Sequence, residues 1–247
     1  MTVDSEADLE GLKRVGRIVA RCLRMMLDAA RPGMSTRELD ALGAAFLAKH
    51  GAQSAPRLTY DFPGDTCISI NEEIAHGIPG DRLLVAGDVL NVDVSAELDG
   101  YFADTGGSIV LPPSTAALDL LSSSTQRALS RSIEKARAGA RIGEVGRIIE
   151  DQAKKTGFGV IRNLGSHGVG RALHEPPEIP GHDVPNDPRR FQLGSVITIE
   201  PFLTTGPALA EESDDGWTLL NAPGGRSAQF EHTMVITKRR PVIVTHP

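Results

Sequence analysis

Cysteine is scarce, and neither copy is placed to do chemistry. Cys22 and Cys67 lie far apart and form no C-x-x-C pair, so neither a zinc knuckle nor a disulfide framework is indicated and both read as structural thiols. No run approaches the length of a membrane span, and the opening MTVDSEADLE is acidic and polar where a secretory signal would be basic and then apolar. A cytoplasmic protein is expected, with no membrane partner. There is no basic stretch interleaved with aromatics, and a net charge of -6 disfavours nucleic acid or an acidic surface as the main partner. Several catalytic signatures are missing too: no G-x-S-x-G elbow, no H-E-x-x-H helix, no G-x-x-x-x-G-K-[ST] loop and no strand-linked G-x-G-x-x-G. The 247 residues still suffice for a sizeable core, in one large domain or two small ones.

What is present centres on Gly87 to Val110, GDVLNVDVSAELDGYFADTGGSIV. Val89, Val92 and Val94 lead in, Asp99-Gly100 is a strong hairpin signal, and Tyr101, Phe102, Ile109 and Val110 resume the apolar run, so two antiparallel strands are expected. With Asp99 and Gly100 as the central turn residues, Asp93 pairs with Gly106 and shares a face with Asp104. Carboxylates side by side repel, and burial raises that penalty, so a divalent metal between them is a natural candidate. A hairpin carrying solvated Asp residues fits this pair equally well.

Upstream, Leu9, Leu12, Val15, Val19, Cys22, Leu23 and Met26 recur at three and four residues, an amphipathic helix ending before Pro32-Gly33. A second helix starts at the capping-box spacing Ser35-Thr36-Arg37-Glu38, carries Leu39, Leu42 and Phe46, and stops at Gly51. This helix has a counterpart. Arg31, Gly33, Glu38, Leu39, Leu42, Lys49 and Gly51 match Arg137, Gly139, Glu144, Val145, Ile148, Lys155 and Gly157 at an offset of 106. A longer helix again precedes it, from about Thr115 to Ala138.

The strands echo each other as well. GDVLNVD from Gly87 aligns with GSVITIE from Gly194 at an offset of 107, which sets Asp93 on Glu200. Each half has a His-Gly-aliphatic step, at His76 and His167, and a second acid on a later strand-like run, Asp104 and then Glu231. One domain over residues 1–247 is expected, built from related halves at about 8–111 and 114–240, with Leu111-Pro112-Pro113-Ser114 as the turn between them. The class is α+β: a curved antiparallel sheet backed by helices, with the acids meeting on the other side.

Asp93, Asp104, Glu200, Glu231 and His167 are then the candidate ligands. Four carboxylates around one ion would be over-charged; two divalent cations with bridging carboxylates balance them, and oxygen-rich ligation with one nitrogen suits Mn, Fe, Co or Zn. Paired metals activate water and clamp the tetrahedral intermediate of amide hydrolysis, so a hydrolase is expected. Taken singly, each acid reads as a solvated strand-end residue and His167 as a hydrogen-bonded core histidine. Taken together, donors that interrupt apolar strands are costly to bury without a cation.

From the first helix almost to the C-terminus, the chain resembles the type I methionine aminopeptidases, short members of the pita-bread metallopeptidase fold. The resemblance rests on Cys67-Ile68-Ser69-Ile70-Asn71-Glu72 with His76-Gly77-Ile78-Pro79, and on Asn91-Val92-Asp93 with Asp104-Thr105. It continues through Ser166-His167-Gly168-Val169-Gly170-Arg171 with His174-Glu175, Thr198-Ile199-Glu200-Pro201, Asp215-Gly216-Trp217 and Ser227-Ala228-Gln229-Phe230-Glu231-His232-Thr233. It implies a pseudo-two-fold metallopeptidase that removes the N-terminal methionine ahead of a small second residue. Two divalent ions are implied (Co, Mn, Fe, Zn or Ni): Asp93 on one, His167 and Glu200 on the other, and Asp104 and Glu231 bridging both. It further implies Glu200 as proton carrier, His174 on the scissile amide, His76 on the substrate, and a methionine pocket at Phe62, Cys67, Leu173 and Trp217.

The implied partners are nascent polypeptide N-termini, with the ribosome a further candidate, and a monomer is expected. Three features depart from the family pattern. Leu173 stands where an aromatic is usual, Ala75 where a cysteine is common, and Thr59-Tyr60-Asp61-Phe62-Pro63 lacks the usual Tyr-x-Gly, so Tyr60 is not counted among the pocket residues. Alternative readings are an Xaa-Pro peptidase of the same fold and a non-catalytic module that binds nascent chains.

Overall fold

Ser5 begins the first helix: its hydroxyl accepts from the Asp8 backbone N–H, satisfying one of the donors that a helix start leaves open. In the computed structural model, which describes residues 1–246, this helix is α1 (Glu6–Ala29), and it buries the stripe Leu12, Val15, Val19, Cys22 and Met26. Next comes α2 (Thr36–Lys49), whose capping box forms as expected, Ser35 and Glu38 each bonding the other's backbone. The first half continues with β1 (Gln53–Ser54), α3 (Ala55–Tyr60), β2 (Cys67–Ile70), β3 (Glu73–Ala75), β4 (Val89–Leu98) and β5 (Tyr101–Val110). α3 has six residues, too few to show an apolar period, but it is capped by the Ser54 hydroxyl and has a proline in its first turn.

The second half opens with α4 (Ala116–Lys135) and α5 (Gly143–Thr156). α4 stops short of the expected Ala138 because the Ala138 N–H donates to the Thr237 carbonyl at 2.9 Å, drawing the chain out of the helix toward the C-terminal segment. There follow β6 (Gly159–Val160), β7 (Gly165–Gly168), β8 (Glu175–Pro180), β9 (Val196–Ile199) and β10 (Phe202–Thr204). The last are β11 (Glu211–Glu212), β12 (Leu219–Leu220), β13 (Ser227–Gln229), β14 (His232–Val235) and β15 (Val242–Ile243).

All pairings between these strands are antiparallel. Where one curved sheet is expected, four sheets form among the described residues: β1-β4-β2 with β5 on β4, β13-β10-β6, β11-β12-β3, and β15-β14-β9-β7-β8. β12 crosses to the first half to pair with β3, Leu219 opposite Ala75. Elsewhere the halves join through isolated backbone bonds, such as Phe102 N–H to the Gly170 carbonyl, and through side-chain-to-backbone bonds, which leave no continuous ladder. α1 and α2 pack over β2, β4 and β5, with Met26, Leu39, Ile68, Leu90 and Val92 in that core. α4 and α5 cover the second core, around Leu121, Val145, Ile149, Ile197 and Met234. Each such buried side chain contributes about 1.5–3 kcal/mol.

The hairpin forms as expected. Asp99 and Gly100 both have positive φ, 53° and 79°, as a type I′ turn requires, and Asp93 faces Gly106 while Ser95 faces Asp104. Among the described residues no helix is long and apolar enough to cross a membrane.

Candidate metal centre and its cavity

The period of two along β4 and β5 turns Asp93 and Asp104 to one face, and both line the same cavity. Gly106, opposite Asp93, has no room for a side chain: a Cβ there would come 2.3 Å from the Gln229 amide oxygen. That close approach carries the second half across. The Glu231 N–H donates to the Gly106 carbonyl at 2.9 Å, and the Thr105 hydroxyl donates to the Glu231 carbonyl at 2.8 Å. Thr233 bonds Asp104 in both directions, its hydroxyl accepting from the Asp104 N–H at 2.9 Å and donating to the Asp104 carbonyl at 2.7 Å.

Glu231 immediately precedes β14 and Glu200 immediately follows β9. Those strands pair with His232 opposite Ile199, so the two glutamates flank one end of the ladder. Glu200 is fixed at both ends. Its N–H donates to the Ser166 hydroxyl at 2.9 Å, and its Oε1 accepts from the Thr198 hydroxyl at 3.1 Å. On β7, Nδ1 of His167 lies 2.8 Å from the Gly168 carbonyl. An Nδ1–H donated there leaves Nε2 as a lone pair, 3.4 Å from Glu200 Oε1 and 3.9 Å from Asp104 Oδ2. The expected donors are thus brought together. Ligand atoms of Asp104, His167 and Glu231 all lie within 4.8 Å of one another.

The electrostatics of the bare cluster are unfavourable. Burial, and after it the charge of Asp104, holds Asp93, Glu200 and Glu231 well above the usual carboxylate range. Burial lifts Asp104 to about 6; burial, helped by the charges of His174 and His76, pushes His167 down to about 3, so the imidazole is neutral and suited to ligation. Among the described residues, the only basic side chain within ion-pair distance of these acids is His167, and it is uncharged. Asp104 Oδ1 and Glu231 Oε1 are buried with no hydrogen-bond partner. Orphaned oxygens of this kind are what a divalent cation would satisfy, and carboxylates with one imidazole suit such an ion.

The cluster lies in the wall of a cavity of about 1220 Å³, which is also lined by Phe62, Cys67, Leu173, Trp217, His76 and His174. Trp217 is held by Asp215, whose Oδ1 accepts the Trp217 N–H at 2.8 Å, and it meets Phe62 edge-on with centroids 5.2 Å apart. Leu173 is buried against this wall. Cys67 stands opposite Asp93, and burial together with that charge pushes its thiol well up, so it acts as an apolar group. His76 has a left-handed backbone, φ 56°, just before Gly77, where a Cβ would meet the Ile68 carbonyl at 2.2 Å. This strained conformation turns its ring to the cavity.

His174 sits on the 171–175 loop, braced by Glu175, which accepts the Arg171 and Ala172 N–H groups at 2.6 and 2.8 Å. Arg171 in turn covers the Tyr101 ring and bonds Asp8 at 2.7 Å. Burial lowers both His76 and His174, and the charge of His76 adds to the effect on His174.

Three kinds of residue escape sequence reasoning. Tyr60 lines the cavity after all: Asp61, left-handed at φ 60°, ends α3 and leaves the Tyr60 hydroxyl 2.6 Å from His174 Nδ1. Burial pushes its phenol above the ordinary value. Gln229 donates to Glu231 Oε2 at 3.2 Å and accepts from Asn91 at 2.9 Å. Pro56, Ser95 and Phe202 also line the cavity. For Gln229 and Thr198 a signal exists, since each is a polar residue two positions before a candidate ligand, Thr198 on the otherwise apolar β9.

Residues 10–238 match the family described as Metallopeptidase family M24. Methionine aminopeptidase 2 of Bacillus subtilis strain 168 is 46% identical over 247 residues, covering 99% of both chains. A methionine aminopeptidase of Staphylococcus epidermidis is 38% identical, over 99% of this chain and 98% of the relative. Of the solved structures, a methionine aminopeptidase from Thermotoga maritima superposes with a TM-score of 0.96 at 30% identity, covering both chains in full. The prolidase from Pyrococcus furiosus, at 23% identity and a TM-score of 0.79 over 100% of this chain and 66% of that one, shares the fold alone. By its architecture, by the family match across most of its length and by these relatives, the chain has the pita-bread fold and belongs to metallopeptidase family M24.

Proposed function

We propose that this protein is a methionyl aminopeptidase, removing the N-terminal methionine of nascent proteins and peptides whose second residue is small. The observation that carries the reading is the buried acid cluster, with orphaned oxygens on Asp104 and Glu231, opening on a cavity walled by Phe62, Leu173 and Trp217. Asp93 would hold one ion, His167 and Glu200 a second, and Asp104 and Glu231 would touch both; Co, Mn, Fe, Zn or Ni suit the donors. When bound, such ions supply Lewis acidity, acidifying water and polarising a peptide carbonyl.

The chain's own groups do the rest. Glu200 carries the proton of the attacking water to the departing amine; its Oε1 is engaged by Thr198, which leaves Oε2 for that task. His174 donates a hydrogen bond where negative charge develops on the carbonyl oxygen, and His76 holds the substrate backbone. Phe62, Cys67, Leu173 and Trp217 take the methionine side chain and exclude water. The halves at about 8–111 and 114–240 act as one catalytic unit, in the cytoplasm and as a monomer, on chains emerging from the ribosome.

The test is to strip the protein of metal, reload it with Mn, Co or Fe, and assay methionine release from Met-Ala-Ser. Release that chelator abolishes and metal restores is expected. No release with metal demonstrably bound would leave a nascent-chain binding module, and preferential cleavage of Xaa-Pro peptides would leave the prolidase-like activity.

A further inference from the structure

The 2.6 Å contact between the Tyr60 hydroxyl and His174 Nδ1 joins segments 114 residues apart. Tyr60 is the last residue of α3 and is 43% exposed, so water could satisfy its hydroxyl if nothing else did. Instead it faces the imidazole, with ring centroids 5.5 Å apart. His167 packs on that same imidazole at 4.3 Å, and Glu175 braces the backbone beneath it. The ring is thus held on two sides and its loop is pinned from below.

A neutral imidazole has one N–H, and the partner at one nitrogen decides which nitrogen carries it. A phenol hydroxyl is a good donor and a poor acceptor, whereas the bare nitrogen of a neutral imidazole is a strong acceptor, so in this pair Tyr60 donates and Nδ1 accepts. The proton of His174 then resides on Nε2. We propose that Tyr60 is a positioning residue: it fixes His174 as the Nε2–H tautomer, so that the imidazole meets the substrate as a hydrogen-bond donor. The assignment rests on the aminopeptidase reading above. It explains how a segment departing from the family pattern still serves the site, since a donor aimed where negative charge develops is useful only if its proton is on the right atom.

The decisive experiment has two arms. In metal-free, 15N-labelled protein, long-range 1H–15N correlation of the His174 ring, assigned by its loss in His174→Gln, should show Nε2 protonated and Nδ1 bare. In Tyr60→Phe the two tautomers should mix. In the metal-loaded protein assayed on Met-Ala-Ser, Tyr60→Phe should lower kcat about tenfold with KM changed less than about twofold, and should add nothing in a His174→Gln background. A proton on Nδ1 in the unaltered protein would overturn the proposal. So would a raised KM with kcat intact, the mark of a mere pocket wall, or an equal loss in both backgrounds. Absence of methionine release from the unaltered protein would sink the aminopeptidase reading instead, and the spectra would still decide the tautomer.

Discussion

Replacing Asp104 with Asn should make the metal-free protein more stable at neutral pH while abolishing its response to metal. Asp104 is 6% exposed, its Oδ1 has no partner, and burial lifts its pKa from 3.8 to about 6. Because the folded value lies above the unfolded one, the native state binds the proton more tightly, and stability falls as pH rises from about 4 to about 6. Above that window the full penalty applies, roughly two pKa units or about 3 kcal/mol. An amide removes the charge, but its own hydrogen-bonding groups need partners, so a net gain of about 1–2 kcal/mol is expected. For a chain of this size that is about 2–8 °C in Tm.

Thermal unfolding followed by circular dichroism in chelator, at pH values from 4 to 8, is the assay. The variant should lead at pH 7.5, and the gap should close toward pH 4. Asp93, Glu200 and Glu231 are lifted partly by the Asp104 charge, so the variant should keep a shallower slope of the same sign. With Mn or Co added, only the unaltered protein should gain stability, as a ligand that binds the native state requires. A variant no more stable than its parent at pH 7.5 without metal, or a gap independent of pH, would refute the idea that buried like charge strains the site.

Other outcomes follow from the geometry. Gln229→Ala strips Glu231 Oε2 of its donor and should weaken metal binding about 10–100-fold, measured by titration against a competing chelator. Gly168→Ala puts a Cβ 2.3 Å from the Pro176 carbonyl and 2.7 Å from that of Glu175, pushing back the strand that follows His174. It should lower stability by about 1–3 kcal/mol in chemical denaturation, with kcat reduced as well. Trp217→Ala opens the pocket opposite Phe62 and should raise KM for methionyl peptides about tenfold with kcat little changed, as initial-rate kinetics would show.

Much of the fold is legible in the sequence because its signals are local. Ser35 marks a helix start, the apolar stripe of α1 has the helical period, and Asp99-Gly100 specifies the turn that sets the β4–β5 register. The candidate ligands are legible for a different reason: acids and a histidine interrupting apolar strands at matched places in a repeat leave little else for them to do. Tyr60 and Gln229 show where that legibility ends. Tyr60 acts from a helix too short to have a period, on a partner 114 residues away, and Gln229 reaches Asn91 across 138. Such contacts depend on how the halves dock. The break into four sheets is invisible for the same reason, since threonine hydroxyls at the join replace ladder bonds that β propensity would predict.

Those threonines constrain how the molecule can move. With Thr105 and Thr233 each clasping the backbone of the opposite half beside an acid, the halves cannot part like jaws without dispersing the donors. The cavity that Tyr60 and His174 line therefore keeps a floor of constant dimensions. The amide protons of Asp104 and Glu231 should accordingly be among the last to exchange with solvent, released only when the whole chain unfolds.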